Sequence, residues 1–187
     1  MQCKFLEKNI DYTGEQLKSH WAYKTCDLIG DSLVAFCGRC DVDLSHMVDL
    51  EDVKAKSAIF SREMLHFIME CFDRNLELMI LRQRMLLDII KDRIVAHRPD
   101  QATAIMLAGD DLYLGEAKVS IAISTLSPIS ALSHTGINIR SDGTPVKTIG
   151  LNDLGISPEP FSQEVMSRFA EEMERVERAR YKVKGVP

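Results

Sequence analysis

The stretch between residues 103 and 139 restricts the fold of this chain more than any other. Four short segments, 103–107, 112–114, 118–126 and 129–139, are rich in Ile, Leu, Val, Ser and Thr, and Gly109-Asp110, Gly115-Glu116 and Ser127-Pro128 separate them. Branched side chains suit a pleated surface and those dipeptides suit tight turns, so the spacing predicts an antiparallel meander. A meander with an apolar face needs a cover. Leu76, Met79, Leu86, Ile90 and Ile94 recur at helical spacing, which predicts a helix over about 74–96 with Asp73 as its cap. It ends near His97-Arg98-Pro99, because a proline disfavours helical angles in the residue before it. A second long helix is expected over about 162–181, with Ser162 as cap, Glu164 in the first turn and Arg175, Arg178, Arg180 and Lys182 near the end, matching the helix dipole. Val165, Phe169, Met173 and Val176 would face the core.

The N-terminal half is less periodic. Thr13-Gly14-Glu15-Gln16 has the form of a capping box and predicts a helix over about 14–25. Residues 32–37 are apolar between Gly30-Asp31 and Gly38, as in a buried strand, and 41–52 form an acidic loop. The apolar run 67–72 is too short for its period to separate strand from helix, and its aromatic content favours strand. Glycines and prolines make 141–160 mostly turn. With no repeat, low-complexity tract or Gly/Ser linker, one domain over 1–187 is expected. The fold class is then α+β, a mixed and mostly antiparallel sheet flanked by helices.

Charge and cysteine usage exclude several classes. A net charge of -5 offers no basic footprint for duplex nucleic acid, which leaves small ligands or proteins as partners. No apolar run approaches the roughly 18 residues that span a bilayer. Lys4, Glu7, Lys8 and Asp11 occupy the place of a secretory signal's apolar core, so a cytoplasmic protein is expected, and its five cysteines should be reduced thiols. Cys37-Gly38-Arg39-Cys40 could join Cys26 or His46 around zinc, but a second such pair is missing, and thiols at a strand end are the plainer reading. Asp41, Asp43, His46, Asp49, Glu51 and Asp52 could hold magnesium or manganese, or form a solvated loop. Arg82-Gln83-Arg84 could reach phosphates or lie on a wet helix face.

The segment Gly109-Asp110-Asp111-Leu112-Tyr113-Leu114-Gly115-Glu116-Ala117-Lys118-Val119, followed by Gly136-Ile137-Asn138-Ile139, is similar to the biotin protein ligases. Those show Trp-Pro-Asn-Asp-Leu or Ile, a hairpin turn, a lysine seven residues after the second member of the pair, and later Gly-Ile-Asn. Asp110-Asp111, Lys118 and Gly136-Ile137-Asn138 take those places here. The whole chain also resembles an uncharacterised archaeal domain-of-unknown-function family through Tyr12-Thr13-Gly14-Glu15-Gln16-Leu17, Ser19-His20-Trp21-Ala22-Tyr23 and Met47-Val48-Asp49-Leu50-Glu51-Asp52. The likeness to the ligases implies the fold shared by biotin and lipoate ligases and class II aminoacyl-tRNA synthetases. It also implies an adenylate-forming ligase or acyl transferase for a small carboxylic acid that is biotin-, lipoate- or amino-acid-like, possessing ATP and Mg2+ as cofactors, a possible acceptor protein and a homodimeric state.

In that reading the Lys118 ammonium stabilises charge on the reacting group, Asp111 holds magnesium or ribose, and Asp110, Gly136 and Asn138 line the nucleotide or substrate site. Departures from the ligase pattern leave other functions open. The Gly-Arg-Gly-Arg phosphate loop reduces to Gly38-Arg39, Ala108-Gly109 replaces Trp-Pro, and Ile121 stands where a glycine follows the lysine. Two alternatives remain: a non-catalytic module that keeps the fold and binds a small ligand or protein, and a metal-dependent hydrolase built on the acidic loop with Cys37 and Cys40.

Overall fold

The computed structural model describes residues 1–56, 59–144 and 146–186. The strand β3 (Ile59–Cys71) is the centre of a five-stranded sheet. On one side it pairs antiparallel with β2 (Ser32–Val42), which in turn pairs parallel with β1 (Gln2–Leu6). On the other it pairs antiparallel with β8 (Ala131–Asn138), and β8 with β7 (Ser120–Leu126). A smaller antiparallel sheet contains β4 (Ile105–Ala108), β5 (Asp111–Leu114) and β6 (Ala117–Lys118). The mixed, largely antiparallel α+β architecture expected from sequence is therefore present, with the expected meander split between two sheets.

Alternation along β2 and β3 builds two cores, because successive side chains in a strand point to opposite faces. Leu33, Ala35, Leu65, Phe67 and Met69 face α3 (Leu76–His97) and α4 (Pro158–Tyr181), which supply Met79, Leu86, Ile90, Phe161, Val165 and Phe169. Val34, Phe36, Met64 and Ile68 face the opposite way, under Tyr12 and the short helix α1 (Trp21–Cys26).

Several local expectations are corrected. Half of the capping box exists, since the Thr13 amide donates to Gln16 Oε1 at 3.1 Å, yet the helix begins only at Trp21. Gly14 turns the chain at φ +90°, and the His20 amide donates to the Glu70 carboxylate, so 14–20 is spent on turns. The run 67–72 lies almost wholly in a strand, with Phe72 just past its end, and β2 continues beyond Cys37 to Val42 through a register shift at Gly38/Cys40. The acidic loop also carries α2 (Leu50–Ala55), capped by Asp49. Asn75 rather than Asp73 caps α3, because Asp73 pairs with Arg82 at 2.6 Å. At the C-terminal end α4 starts at Pro158, which places Ser162 inside it, and Val176 is exposed.

Gly38 sits where two chain segments touch. A Cβ there would lie 2.0 Å from the Ile10 carbonyl oxygen, because the segment at Ile10 to Tyr12 runs against β2, with the Ile10 amide donating to Cys37 O at 2.9 Å. Backbone cannot yield as a side chain can. Gly38→Ala should therefore destabilise the protein by about 3 kcal/mol or more in urea denaturation, while Gly185→Ala, with open space around it, should change stability by about 0.5 kcal/mol or less.

Candidate functional site

The face of the sheet away from α3 and α4 holds a cavity of about 610 Å³. Its buried lining includes Tyr12, Met64 and His134, and Asp49, Asp52, Asp110, Asp111 and Lys118 supply its charge. The small sheet brings the charged pair there. Lys118 stands opposite Tyr113 in the β5–β6 register, and Asp111 lies two residues from Tyr113 on the same strand face. Lys118 Nζ reaches Asp111 Oδ2 at 2.8 Å, with the two side chains 27% and 19% exposed. The backbone of Lys118 is held as firmly, its amide donating to Lys147 O at 3.0 Å and its carbonyl accepting from the Ile149 amide at 3.1 Å.

Burial raises the Asp111 carboxyl above its ordinary pKa despite the hydrogen bond from Lys118, which acts the other way. Asp52 is raised too, by burial first and by the charge of Asp49 second. Among the described residues, four carboxylates thus share the cavity with one ammonium, and the two with shifted pKa hold protons more readily than free carboxylates do.

Beside this cluster lies a stack of neutral rings. Tyr12 covers His134 at a centroid distance of 3.6 Å and 13° between planes. His134 Nε2 is 3.0 Å from His66 Nδ1, and His66 Nε2 is 3.2 Å from Gly38 O. Burial pushes the His66 imidazole down to about 4 and lowers His134 as well.

Among residues named from sequence, Asp110, Asp111, Lys118 and Asn138 meet in this cavity, and His46 lines it too. Asn138 works as a cross-tie, accepting from Ser61 Oγ at 3.3 Å and donating to Lys118 O at 3.2 Å. Gly136 lies beneath the lining, where a Cβ would come within 3.0 Å of Met64 Cε and 3.2 Å of Ile121 Cγ1. Ile121 fills the space that the ligase pattern leaves to a glycine.

Two groups do not join the site. Gly38 packs against Ile10, and Arg39 points outward to Asp11 at 3.5 Å and Asp41 at 3.6 Å, so neither forms a phosphate cradle. Cys37 packs into the core under α3 and α4, whereas Cys40 belongs to the core on the other face. Three residues apart on one strand, the thiols point to opposite sides of the sheet, so they cannot chelate one ion. Among the described residues no group of three or more His, Cys, Asp or Glu is arranged to hold a metal ion. The same faces explain what sequence reasoning missed: Tyr12, His66 and His134 meet only through strand register, and the two histidines are 68 residues apart.

The fold is that of the biotin and lipoate protein ligases. A biotin protein ligase from Aquifex aeolicus in complex with biotin and ATP matches with a TM-score of 0.59 at 15% identity, over 93% of this chain and 71% of that one. P. falciparum LipL1 in complex with lipoate also matches with a TM-score of 0.59, at 13% identity over 93% of this chain and 62% of that one.

Within that fold, the chain belongs to the family described as Domain of unknown function (DUF366), whose model matches residues 1–184. An uncharacterised protein of Methanocaldococcus jannaschii is 37% identical over 185 residues, covering 95% of this chain and 82% of the relative. A solved protein of unknown function from Pyrococcus horikoshi is 35% identical with a TM-score of 0.92, covering 100% of both chains. No helix among the described residues is long and apolar enough to cross a membrane.

The neutral histidines set a pH dependence. His66 titrates at about 4 when folded, against an ordinary value of 6.5, so between these the unfolded chain binds the proton first. The stability it contributes is whole above about pH 6.5 and is lost as the pH falls towards about 4, at up to about 1.4 kcal/mol per unit. Urea denaturation across that window should show a flatter slope for His66→Gln than for the unaltered protein.

Proposed function

We propose that this chain binds a small carboxylic acid in the cavity, with Lys118 as its counter-ion, and acts as an acyl transferase built on the ligase fold. The observation that carries this reading is the partly buried Lys118 ammonium, held 2.8 Å from Asp111 at the wall of the cavity. An ammonium has three donors, so the one engaged by Asp111 leaves others for a carboxylate or a carbonyl oxygen. In acyl transfer an acceptor amine adds to the activated carbonyl, negative charge collects on its oxygen, and the leaving group departs with its bonding pair. Lys118 would stabilise that oxygen, and Asp111, whose proton affinity burial has raised, would take the proton released by the amine.

A nucleotide-dependent version, with ATP and Mg2+ making an adenylate first, draws support from the likeness to a ligase solved with biotin and ATP. The residues present fit the triphosphate poorly, and among the described residues no group of three or more His, Cys, Asp or Glu is arranged to hold the metal. Four carboxylates face one ammonium in the cavity, and Gly38 and Arg39 are committed elsewhere. Homodimer formation and a protein acceptor belong to the same reading, and sedimentation with and without candidate acceptors would measure them.

The test is a thermal-shift and calorimetric screen of biotin, lipoate, octanoate, amino acids and ATP. A true ligand at about 100 times its Kd should add about 2.7 kcal/mol of stability. Lys118→Ala should weaken carboxylate binding by about tenfold or more, the cost of a charge-assisted hydrogen bond. Equal binding by the variant would remove Lys118 from the site. Ligand stabilisation without acyl transfer to any amine would leave a binding module, and pyrophosphate exchange would favour the nucleotide reading.

A further inference from the structure

Beyond Lys118, the cavity wall is apolar over much of its lining but carries several hydrogen-bond acceptors. The Gly38 carbonyl can only accept, so the His66 nitrogen 3.2 Å from it, Nε2, bears the proton. A neutral imidazole has one proton, which leaves His66 Nδ1 bare. Its partner at 3.0 Å, His134 Nε2, is therefore the donor of that bond, and His134 Nδ1 is left with an open lone pair. Tyr12 stacked on the ring restrains it from turning over. His134 is only 2% exposed, lines the cavity, and its ring makes no hydrogen bond besides the one to His66 among the described residues. An acceptor left open on a cavity wall can take a hydrogen bond from a matching donor.

The carboxylates point to the same chemistry. Asp49 spends its side chain on the first amides of α2, and Asp111 is paired with Lys118. Asp52 and Asp110 lie near enough to feel one another's charge, and among the described residues neither side chain has an ion pair or hydrogen bond. A bare metal ion does not suit them, given that no three-ligand group exists among the described residues. An organic cation does, since its N–H groups can serve several separated acceptors at once.

We propose that the cavity takes a carboxylic acid that also carries a protonated amine or guanidinium. Its carboxylate meets Lys118 Nζ, its cationic group meets Asp52 and Asp110, and one of its N–H donors meets His134 Nδ1. This rests on the carboxylate reading above and narrows it, setting plain fatty acids and lipoate apart from amino-acid-like zwitterions.

Matched probes test it on the full chain: ω-aminooctanoate and ω-aminohexanoate, the corresponding plain acids, arginine, and octylamine. Calorimetry should show an amino acid probe binding about tenfold or more tightly than its plain acid, a difference expected of one charge-assisted contact. Asp110→Asn, at a partly exposed turn, should remove most of that advantage. His134→Phe keeps the stack with Tyr12, removes the acceptor, and should act the same way, while nitrogen NMR should show His134 Nδ1 gaining a donor when the amino acid is added. Plain acids binding as well as amino acids would overturn the inference and leave the carboxylate reading standing. Octylamine binding while every acid fails would overturn the carboxylate reading and the zwitterion with it, as would no binding by any probe. An unchanged preference in both variants would remove Asp110 and His134 from recognition and overturn the inference.

Discussion

A slip of one residue along β3 would exchange the two faces of the sheet, and nothing else in the molecule would survive it. In the observed register Leu65, Phe67 and Met69 enter the core under α3 and α4, while Met64, His66 and Ile68 enter the opposite side. The apolar set on the first face is large and continuous, so burying it decides the register. Once that is settled, His66 has no freedom. It must lie on the cavity side, opposite Gly136 of β8 and Phe36 of β2, in line with the ring of His134.

The polar groups on that side follow from the same constraint. A histidine carried into a dry sheet face is stable only if it is neutral and hydrogen-bonded, and the Gly38 carbonyl supplies the partner. Gly38 is at the close approach of the Ile10 segment, and a side chain there would push that segment, and Tyr12 with it, away from the rings. So a residue that sequence suggests as a phosphate cradle acts instead as a spacer. The charged pair Asp111 and Lys118 arrives by a separate route, on the small sheet, and Asn138 ties the two sheets together through the Lys118 carbonyl.

Much of the fold was legible in the chain. The long helices, the β-rich segment between them and the strand character near Phe67 follow from periodicity and branched residues, which act locally. Helix starts were misplaced where side chains found better partners: Asp73 takes Arg82 and leaves the cap to Asn75, and the His20 amide takes Glu70 across 50 residues. The motif around Lys118 was legible because its members sit close together in sequence. The histidine stack was not, since His66 and His134 each look like a lone imidazole until strand pairing joins them.

Sequence alone determined the two long helices and the β-rich segment between them, because hydrophobic period and turn chemistry are properties of neighbouring residues, and it nominated Asp110, Asp111, Lys118 and Asn138 through a motif that resembles the biotin protein ligases. Tertiary structure alone decided which face of each strand met which partner, and so which acceptors stand open in the cavity. It separated Cys37 from Cys40, turned Arg39 outward and set His134 beside His66. Those outcomes depend on register and burial between distant segments, and burial is also what raises the Asp111 carboxyl and lowers the His66 imidazole.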